Sequence, residues 1–295
     1  MEPSPTMLDP GVGVLSPGVA SGAGITSGFP QCVAATSAGA GFKQNVFILR
    51  HGERRDDVDK EWLANASRPW DPPLTDAGKK QAWNAGKKLR LAGFEINRVL
   101  ISPYLRCVQT AAEAIMALCV NQTDLGNDSS TGVVIDPSKV KASIEFGLSE
   151  VMNSIAIRFP RSSPDVPWIL DLGELQSLLP AGTLDAVAQS MWPQLPEWPE
   201  ETEASHVRYG KTFRAAADRF PGENILCVTH GEGVAVSVSH LQPVLVYGVD
   251  YCACSHWQRT VGEIDGKLSA GEFELRTEPL ESGVLFGDVF KEVPT

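Results

Sequence analysis

The chain lacks any continuous apolar stretch long enough to span a bilayer, so the sequence predicts no transmembrane helix and no membrane partner. Lysine and arginine are absent from the first 42 residues, where Gly, Pro, Ser and Ala are spread between isolated valines. A secretory signal would need a basic start and a compact apolar centre. We therefore expect residues 1–42 to form a disordered tail on a cytoplasmic protein, with a plastid address as the alternative.

Positive charge is also scarce over the whole chain, which carries 25 Lys and Arg against 36 Asp and Glu and a formal net charge of −11. Because nucleic-acid binding needs a basic face, this balance argues against a nucleic-acid partner. An anionic substrate stays possible, since a small basic cluster can lie inside an acidic protein. The sequence carries no signal of an oligomeric state.

Cysteine is sparse, with six residues scattered through 295. This density does not suggest a disulfide framework and is typical of a reducing compartment. Cys252 and Cys254 form a C-x-C pair, but a zinc site would need further ligands at short spacing. We interpret the pair as small core residues on one face of a strand.

Short apolar runs alternate with amphipathic segments from residue 43 onward. The runs 46–49, 98–101 and 224–228 predict buried strands, and the first and third lead directly into a histidine. Such alternation predicts an α/β layered sheet. In these sheets ligands bind where strands reach their carboxyl ends, so both histidines should meet at one edge.

Helices are expected between these strands. Thr75 is a plausible N-cap for a helix that Gly93 ends, and Ser102 is a plausible cap for a second helix. A third helical pattern covers residues 204–220. Residues 150–203 differ in composition, with three tryptophans and many prolines, and we interpret them as an insertion that overhangs a site.

Four short segments carry chemistry. They are Arg50-His51-Gly52-Glu53-Arg54, Ser102-Pro103-Tyr104-Leu105-Arg106, Glu145 and Thr229-His230-Gly231. Arginine presents a forked set of donors that matches phosphate oxygens. A phosphoryl group in transfer spreads its charge over three oxygens, so an enzyme without a metal needs fixed positive donors around it. A neutral imidazole can attack phosphorus, and a carboxylic acid can protonate the leaving oxygen.

These segments resemble the signature of the histidine phosphatase, or phosphoglycerate mutase-like, superfamily. The agreement continues through Leu74-Thr75-Asp76-Ala77-Gly78, through Ser102-Pro103-Tyr104-Leu105-Arg106-Cys107-Val108-Gln109-Thr110-Ala111 and through Thr229-His230-Gly231. It covers most of residues 43–291, with 150–203 aligning poorly. Within the superfamily the chain resembles most the phosphatase domain of the suppressor of T-cell receptor signalling proteins.

The resemblance implies a histidine phosphatase domain over residues 43–295, with a three-layer α/β/α fold and a mostly parallel sheet. It also implies that His51 becomes phosphohistidine, that Arg50, Arg106 and His230 hold the phosphoryl oxygens, and that Arg54 joins the pocket. No metal or organic cofactor is implied. The expected substrate is a phosphorylated small molecule or a phosphoprotein.

The proton donor is the least determined role. The resemblance assigns it to Glu145, with Glu150, Glu53 and Glu232 as rivals. Glu53 is expected to brace the pocket, whereas Glu232 could reach the leaving group.

Three alternatives stay open at this point. A phosphoglycerate mutase would keep its phosphohistidine while the substrate turns over in place. A metalloenzyme could use His51-Gly52-Glu53 and His230-Gly231-Glu232 as paired ligands, although Arg50 and Arg54 would repel a metal ion. A non-catalytic module would bind a phosphorylated partner without turnover.

Overall fold

The computed structural model describes residues 41–159, 161–264, 267–279 and 281–288. Residues 1–40 of the predicted tail lie outside the described residues, so its disorder stays a prediction. Its last residue, Phe42, already belongs to the first strand. Among the helices of the described ranges, none combines the length and apolarity that crossing a bilayer requires.

Within the described residues, seven strands form the main sheet, in the order β3-β2-β4-β1-β6-β7 with β8 paired to β6. They are β1 (Phe42–Arg50), β2 (Arg98–Ile101), β3 (Lys141–Ile144), β4 (Ile225–Thr229), β6 (Cys254–Ile264), β7 (Lys267–Ala270) and β8 (Glu274–Leu275). The strands β3, β2, β4 and β1 are parallel, and β6, β7 and β8 extend the sheet with antiparallel pairings. Two further strands, β5 (Val244–Val249) and β9 (Val284–Asp288), pair with each other.

Helices cover both faces of this sheet. They are α1 (Arg55–Val58), α2 (Lys60–Asn65), α3 (Asp76–Leu91), α4 (Leu105–Cys119), α5 (Leu172–Ser177), α6 (Thr202–Arg219) and α7 (Gly231–Ser239). Because side chains alternate along a strand, Phe47 of β1 packs in the core beneath α3 and α4, whereas Ile48 packs in the core beneath α6 and α7. The layered α/β/α expectation is confirmed.

Of the two helix N-caps predicted from the sequence, the structure confirms one. Thr75 accepts a hydrogen bond from the Gly78 N–H at 2.9 Å and caps α3, as predicted, and Gly93 follows that helix with φ of +85°. The predicted cap at Ser102 is wrong, because α4 begins at Leu105 and the Ser102 hydroxyl binds His230 instead.

The described residues of segment 150–203 form one short helix, α5, and the first two residues of α6, and otherwise run mainly as turns and loops. Its Trp168 and Trp198 stack with ring centroids 4.9 Å apart and pack against Trp70 from the loop that precedes α3. The tryptophans therefore fix the segment onto the domain through apolar burial.

The parallel register brings four strand ends to one edge. Arg50 lies opposite Thr229, and Ile101 lies opposite both Val228 and Ile144. The residues that follow these strands therefore emerge side by side, which is where an open α/β sheet binds its ligands.

Candidate active site

His51 is the first residue after β1, and it is 2% exposed. Its backbone N–H donates to the Thr229 carbonyl at 3.0 Å, which ties it to the neighbouring strand end. Its Nδ1 lies 2.9 Å from the Gly52 carbonyl oxygen. Because a carbonyl can only accept, Nδ1 carries the proton and Nε2 keeps its lone pair.

Gly52 is required by a close approach of two chain segments. A Cβ atom at this position would lie 2.4 Å from the Gly78 carbonyl oxygen, which belongs to the backbone of α3. The Gly52 N–H donates to the Thr110 hydroxyl at 3.0 Å. The loop that carries His51 is therefore pressed between α3 and α4, so the imidazole has a fixed position.

Burial lowers the pKa of His51 well below its ordinary value, and the positive charges of Arg106 and Arg50 and the nearby His230 lower it further. His51 is therefore neutral at physiological pH. A neutral imidazole with one free nitrogen is the form that can act as a nucleophile.

His230 follows β4 and is fully buried beside His51, with ring centroids 5.5 Å apart. The Ser102 hydroxyl lies 2.8 Å from its Nε2. Its Nδ1 lies 3.1 Å from both Arg106 Nη2 and Glu150 Oε2. Burial lowers the pKa of His230 to about 4, although the Glu150 carboxylate opposes the shift.

Arg106 lies in the first turn of α4 and is 1% exposed. Its Nη2 donates to Glu150 at 3.1 Å, and its Nη1 lies 3.9 Å from the Asp71 carboxylate, beyond hydrogen-bond range. Among the described residues, Nε and Nη1 of Arg106 and Nε of Arg50 are buried donors without a hydrogen-bond acceptor. Leaving such charged donors unpaired is unfavourable, so their convergence favours a bound anion.

Arg50 is held by the turn that leads into β6. Its Nη1 donates to the Val249 carbonyl, and its guanidinium carbon lies 4.3 Å from the centre of the Tyr251 ring. The Tyr251 hydroxyl donates to Asp57. Sequence reasoning missed Tyr251, because its contacts with Arg50 and Asp57 join segments far apart in the chain.

The same turn corrects the interpretation of the C-x-C pair. Cys252 precedes β6 and has φ of +55°, in the left-handed region, and its N–H donates to the His51 carbonyl at 3.2 Å. Cys254 alone of the two belongs to β6, so the pair does not share a strand face. Both cysteines pack in or against the same hydrophobic core, which confirms the other half of the prediction, and the backbone of Cys252 supports the His51 loop.

Arg54 faces the same cavity, with its Nε and Nη2 forked onto the Asp56 carboxylate at 2.8 and 2.5 Å. Burial lowers the pKa of Arg54, but the hydrogen bonds and charge of Asp56 more than offset this and raise it. Arg158, from the insertion, donates to the same carboxylate at 3.1 Å. The carboxylate of Asp56 thus joins the insertion to the segment that carries Arg54.

The structure does not bring Glu145 to the cavity. The buried Glu145 carboxylate accepts hydrogen bonds from the backbone N–H groups of Gly147, Met191 and Trp192 and from the Ser190 hydroxyl, at 2.7 to 3.2 Å. These four donors use its acceptor sites to hold the insertion against the end of β3. The prediction that Glu145 is the proton donor therefore disagrees with its geometry.

Glu150 is the carboxylate that reaches the site. A 3₁₀ turn, Phe146–Leu148, lies between the two glutamates, so the chain comes back to the sheet edge only at residue 150. Burial raises the pKa of Glu150, but His230, Arg106 and the Val151 N–H outweigh it and bring the pKa well below its usual range. The carboxyl group is therefore ionised near neutral pH.

The other two candidate proton donors, Glu53 and Glu232, contact polar side chains of their own. Glu53 accepts from the Thr75 hydroxyl at 2.7 Å and so braces the loop against α3, as expected. Glu232 lies 2.6 Å from Nε2 of His206, at the rim of the cavity. Within the described ranges, no three His, Cys, Asp or Glu side chains are grouped so as to hold a metal ion.

Several of these groups border a cavity of about 300 Å³. It is lined by Arg50, His51, Arg54, Glu150, Val151, Asn153, Ile155, Ala156, Thr202, Gly231 and Glu232. The segment 150–203 contributes six of these residues, from Glu150 to Thr202, so the expectation that it overhangs a site is supported. A larger cavity of about 580 Å³ lies beside the residues that precede β2 and β3 and includes none of the histidines.

Comparisons with known proteins agree with this geometry. A model of the histidine phosphatase superfamily (branch 1) matches residues 46–124. Ubiquitin-associated and SH3 domain-containing protein A of Homo sapiens is 34% identical over 96 residues, which covers 23% of this chain and 14% of that protein. The ecdysteroid-phosphate phosphatase of Drosophila melanogaster is 26% identical over 271 residues, which covers 76% of this chain and 31% of that protein.

One solved structure is similar along nearly its whole length. The ecdysone phosphate phosphatase from Bombix mori, in complex with tungstate, superposes with a TM-score of 0.51 at 23% identity and covers 78% of this chain and 98% of that chain. This likeness concerns the fold. Residues 46–124 of the chain are thus similar to the histidine phosphatase superfamily (branch 1). It spans less than a third of the length of the two curated relatives named above.

The buried histidines predict how stability depends on pH. Burial lowers the pKa of His51, lowers that of His230 to about 4 and lowers that of His256 to about 3. Below about pH 6.5 the unfolded chain therefore binds more protons at these residues, and their contribution to stability is lost as pH falls. Each contributes a slope approaching about 1.4 kcal/mol per pH unit.

Urea unfolding of wild type and His256→Asn between about pH 7.5 and 4.5 measures this slope. His256 lies outside the cavity, with Nε2 2.9 Å from the Asn45 side-chain oxygen. We expect the variant to lose less stability than wild type over the same range. Parallel curves for the two proteins would contradict the account.

Proposed function

We propose that the protein is a phosphomonoesterase that works without a metal, through a phosphohistidine intermediate on His51. The observation that supports this most is the meeting of a neutral, oriented imidazole with the unpaired donors of Arg50 and Arg106. This combines a nucleophile with a fixed positive site for three phosphoryl oxygens. The relatives named as phosphatases support the same activity.

The first step transfers the phosphoryl group to the enzyme. Arg50, Arg54 and Arg106 hold the equatorial oxygens, and the Nε2 lone pair of His51 attacks phosphorus in line with the ester oxygen. The N–P bond forms as the O–P bond breaks, and the charge of the imidazolium is shared with the Gly52 carbonyl through Nδ1–H. Positioning and electrostatic stabilisation supply most of the catalysis in such a transfer.

His230 completes the phosphate site in this proposal. If the Ser102 hydroxyl donates to Nε2, then Nδ1 carries the proton and faces Glu150, which lines the cavity. In this proposal that N–H donates to a phosphoryl oxygen once the substrate is bound.

Glu150, rather than Glu145, is the proposed proton donor. Its carboxylate lies against the Arg106 guanidinium and Nδ1 of His230, which keeps its pKa low. A bound phosphate competes for the same two groups, so it raises the pKa of the carboxyl group and allows it to carry a proton to the leaving oxygen. In the second step the carboxylate takes a proton from water, which attacks phosphorus and breaks the N–P bond.

Hydrolysis of para-nitrophenyl phosphate by wild type and His51→Ala tests the proposal. We expect wild type to turn over equally with and without a chelator, and the variant to lose turnover by several orders of magnitude, since it lacks the nitrogen that attacks phosphorus. His240→Ala, which removes an imidazole outside the cavity, is the matched control and should keep turnover. Turnover by His51→Ala close to wild type would contradict a role for His51.

The choice between the two carboxylates is tested by leaving groups. We expect Glu150→Gln to reduce kcat/KM by about 10²- to 10⁴-fold for an alkyl phosphate but much less for para-nitrophenyl phosphate, whose phenolate needs little protonation. Glu145→Gln should keep the leaving-group dependence of wild type and instead lower the melting temperature, because its carboxylate holds backbone N–H groups. Equal losses for both esters in Glu150→Gln would count against Glu150 as the acid.

A further inference from the structure

The cavity has two chemically different sides. The inner side carries His51, Arg50 and Arg54, which face the proposed phosphate position. The outer side is built from the insertion and from the start of α7. It carries the apolar side chains of Val151, Ile155 and Ala156 and the polar groups of Asn153, Thr202 and Glu232. Ile155 is 83% exposed at this rim, so the outer side is open to the alcohol part of a phosphate ester.

Charge is distributed unevenly between these sides. Among the described lining residues, the charged groups Arg50, Arg54 and Glu150 belong to the inner side, and Glu232 belongs to the outer side. An alcohol part with its own carboxylate or phosphate would therefore meet the Glu232 carboxylate at the rim, where none of the described lining residues is a cation. Repulsion between a carboxylate and a second anion a few ångströms away, at a partly desolvated rim, lowers kcat/KM for the anionic ester by about tenfold or more relative to a neutral ester.

Glu232 is also held in place. Nε2 of His206, on α6, lies 2.6 Å from its Oε1, and the two side chains are 45% and 39% exposed. His206 does not line the cavity, so it fixes the carboxylate from behind. Glu232 could also have a purely structural role, because an acidic residue in the first turn of α7 stabilises that helix by itself. The structural role and a role in substrate selection predict different substrate preferences.

We propose that Glu232 is a specificity-determining residue that selects against phosphomonoesters with a negatively charged alcohol part. The preferred substrates are then esters of neutral or positively charged alcohols and phenols. This inference rests on the proposed phosphomonoesterase activity, whose substrate class it narrows. It also disfavours a mutase acting on a phosphorylated acid, because such a substrate carries a second anion that must lie outside the arginine cluster.

A charge series on one scaffold tests the selection. Phenyl phosphate, 4-carboxyphenyl phosphate and 4-(aminomethyl)phenyl phosphate are assayed as kcat/KM at about pH 8, where the carboxylate and the ammonium group are both charged. For wild type we expect the carboxylated ester to be about tenfold or more poorer than the neutral one and the ammonium ester to be at least as good. Glu232→Gln should compress these ratios, and Glu232→Lys should invert them.

Glu203→Gln is the matched control, because it removes the same charge from an exposed position of α6 outside the cavity. It should leave the wild-type ratios in place. Ratios near one for wild type, or the same compression in Glu203→Gln, would overturn the selection by Glu232 while leaving the phosphatase activity intact. Absence of turnover of all three esters would instead overturn the proposed function itself.

Discussion

The buried guanidinium of Arg106 is the group on which the site depends. It donates to Glu150 and contacts His230, and it lies close enough to His51 to lower the pKa of that imidazole. Together with burial, this charge favours the neutral form of His51, and together with His230 it favours the ionised form of Glu150. Burying a cation with incomplete pairing is unfavourable, so the unpaired donors of Arg106 favour a bound anion.

Glu150 is positioned by a second buried arginine. Arg208 of α6 donates to the carbonyl oxygens of Gly147 and Ser149 at 2.8 and 3.0 Å and forks onto Glu200 at 2.7 and 2.8 Å. The Tyr209 hydroxyl donates to the Ser149 carbonyl at 2.6 Å. The loop before Glu150 thus has its carbonyls satisfied by α6, and the far end of the insertion is joined to the same point through Glu200.

The sequence is informative where a strand delivers a residue directly. His51 and His230 each follow a buried apolar run, and the parallel register brings them together as expected. The position of Arg106 could be predicted equally well, since α4 starts just after the end of β2. These positions depend on local patterns and on one rule of sheet geometry, so their placement needs no knowledge of distant contacts.

Roles that depend on contacts between distant parts of the chain could not be predicted from the sequence. Whether Glu145 or Glu150 reaches His230 depends on a single 3₁₀ turn, and on donors from the insertion that capture the first carboxylate. Tyr251 and Arg208 act through partners far away in the chain, for which spacing gives no signal. Ser102 fits a helix cap in sequence, but its hydroxyl is drawn to His230 by the fold.

The central claim is that His51 itself receives the phosphoryl group. Rapid chemical quench of the enzyme during turnover, under alkaline conditions that preserve phosphohistidine, followed by mass spectrometry of its peptides, tests this most directly. We expect a phosphoryl group on the peptide that contains His51, lost on acid treatment and absent from His51→Ala. Turnover with the phosphoryl group on a different residue, or on His230, would contradict it.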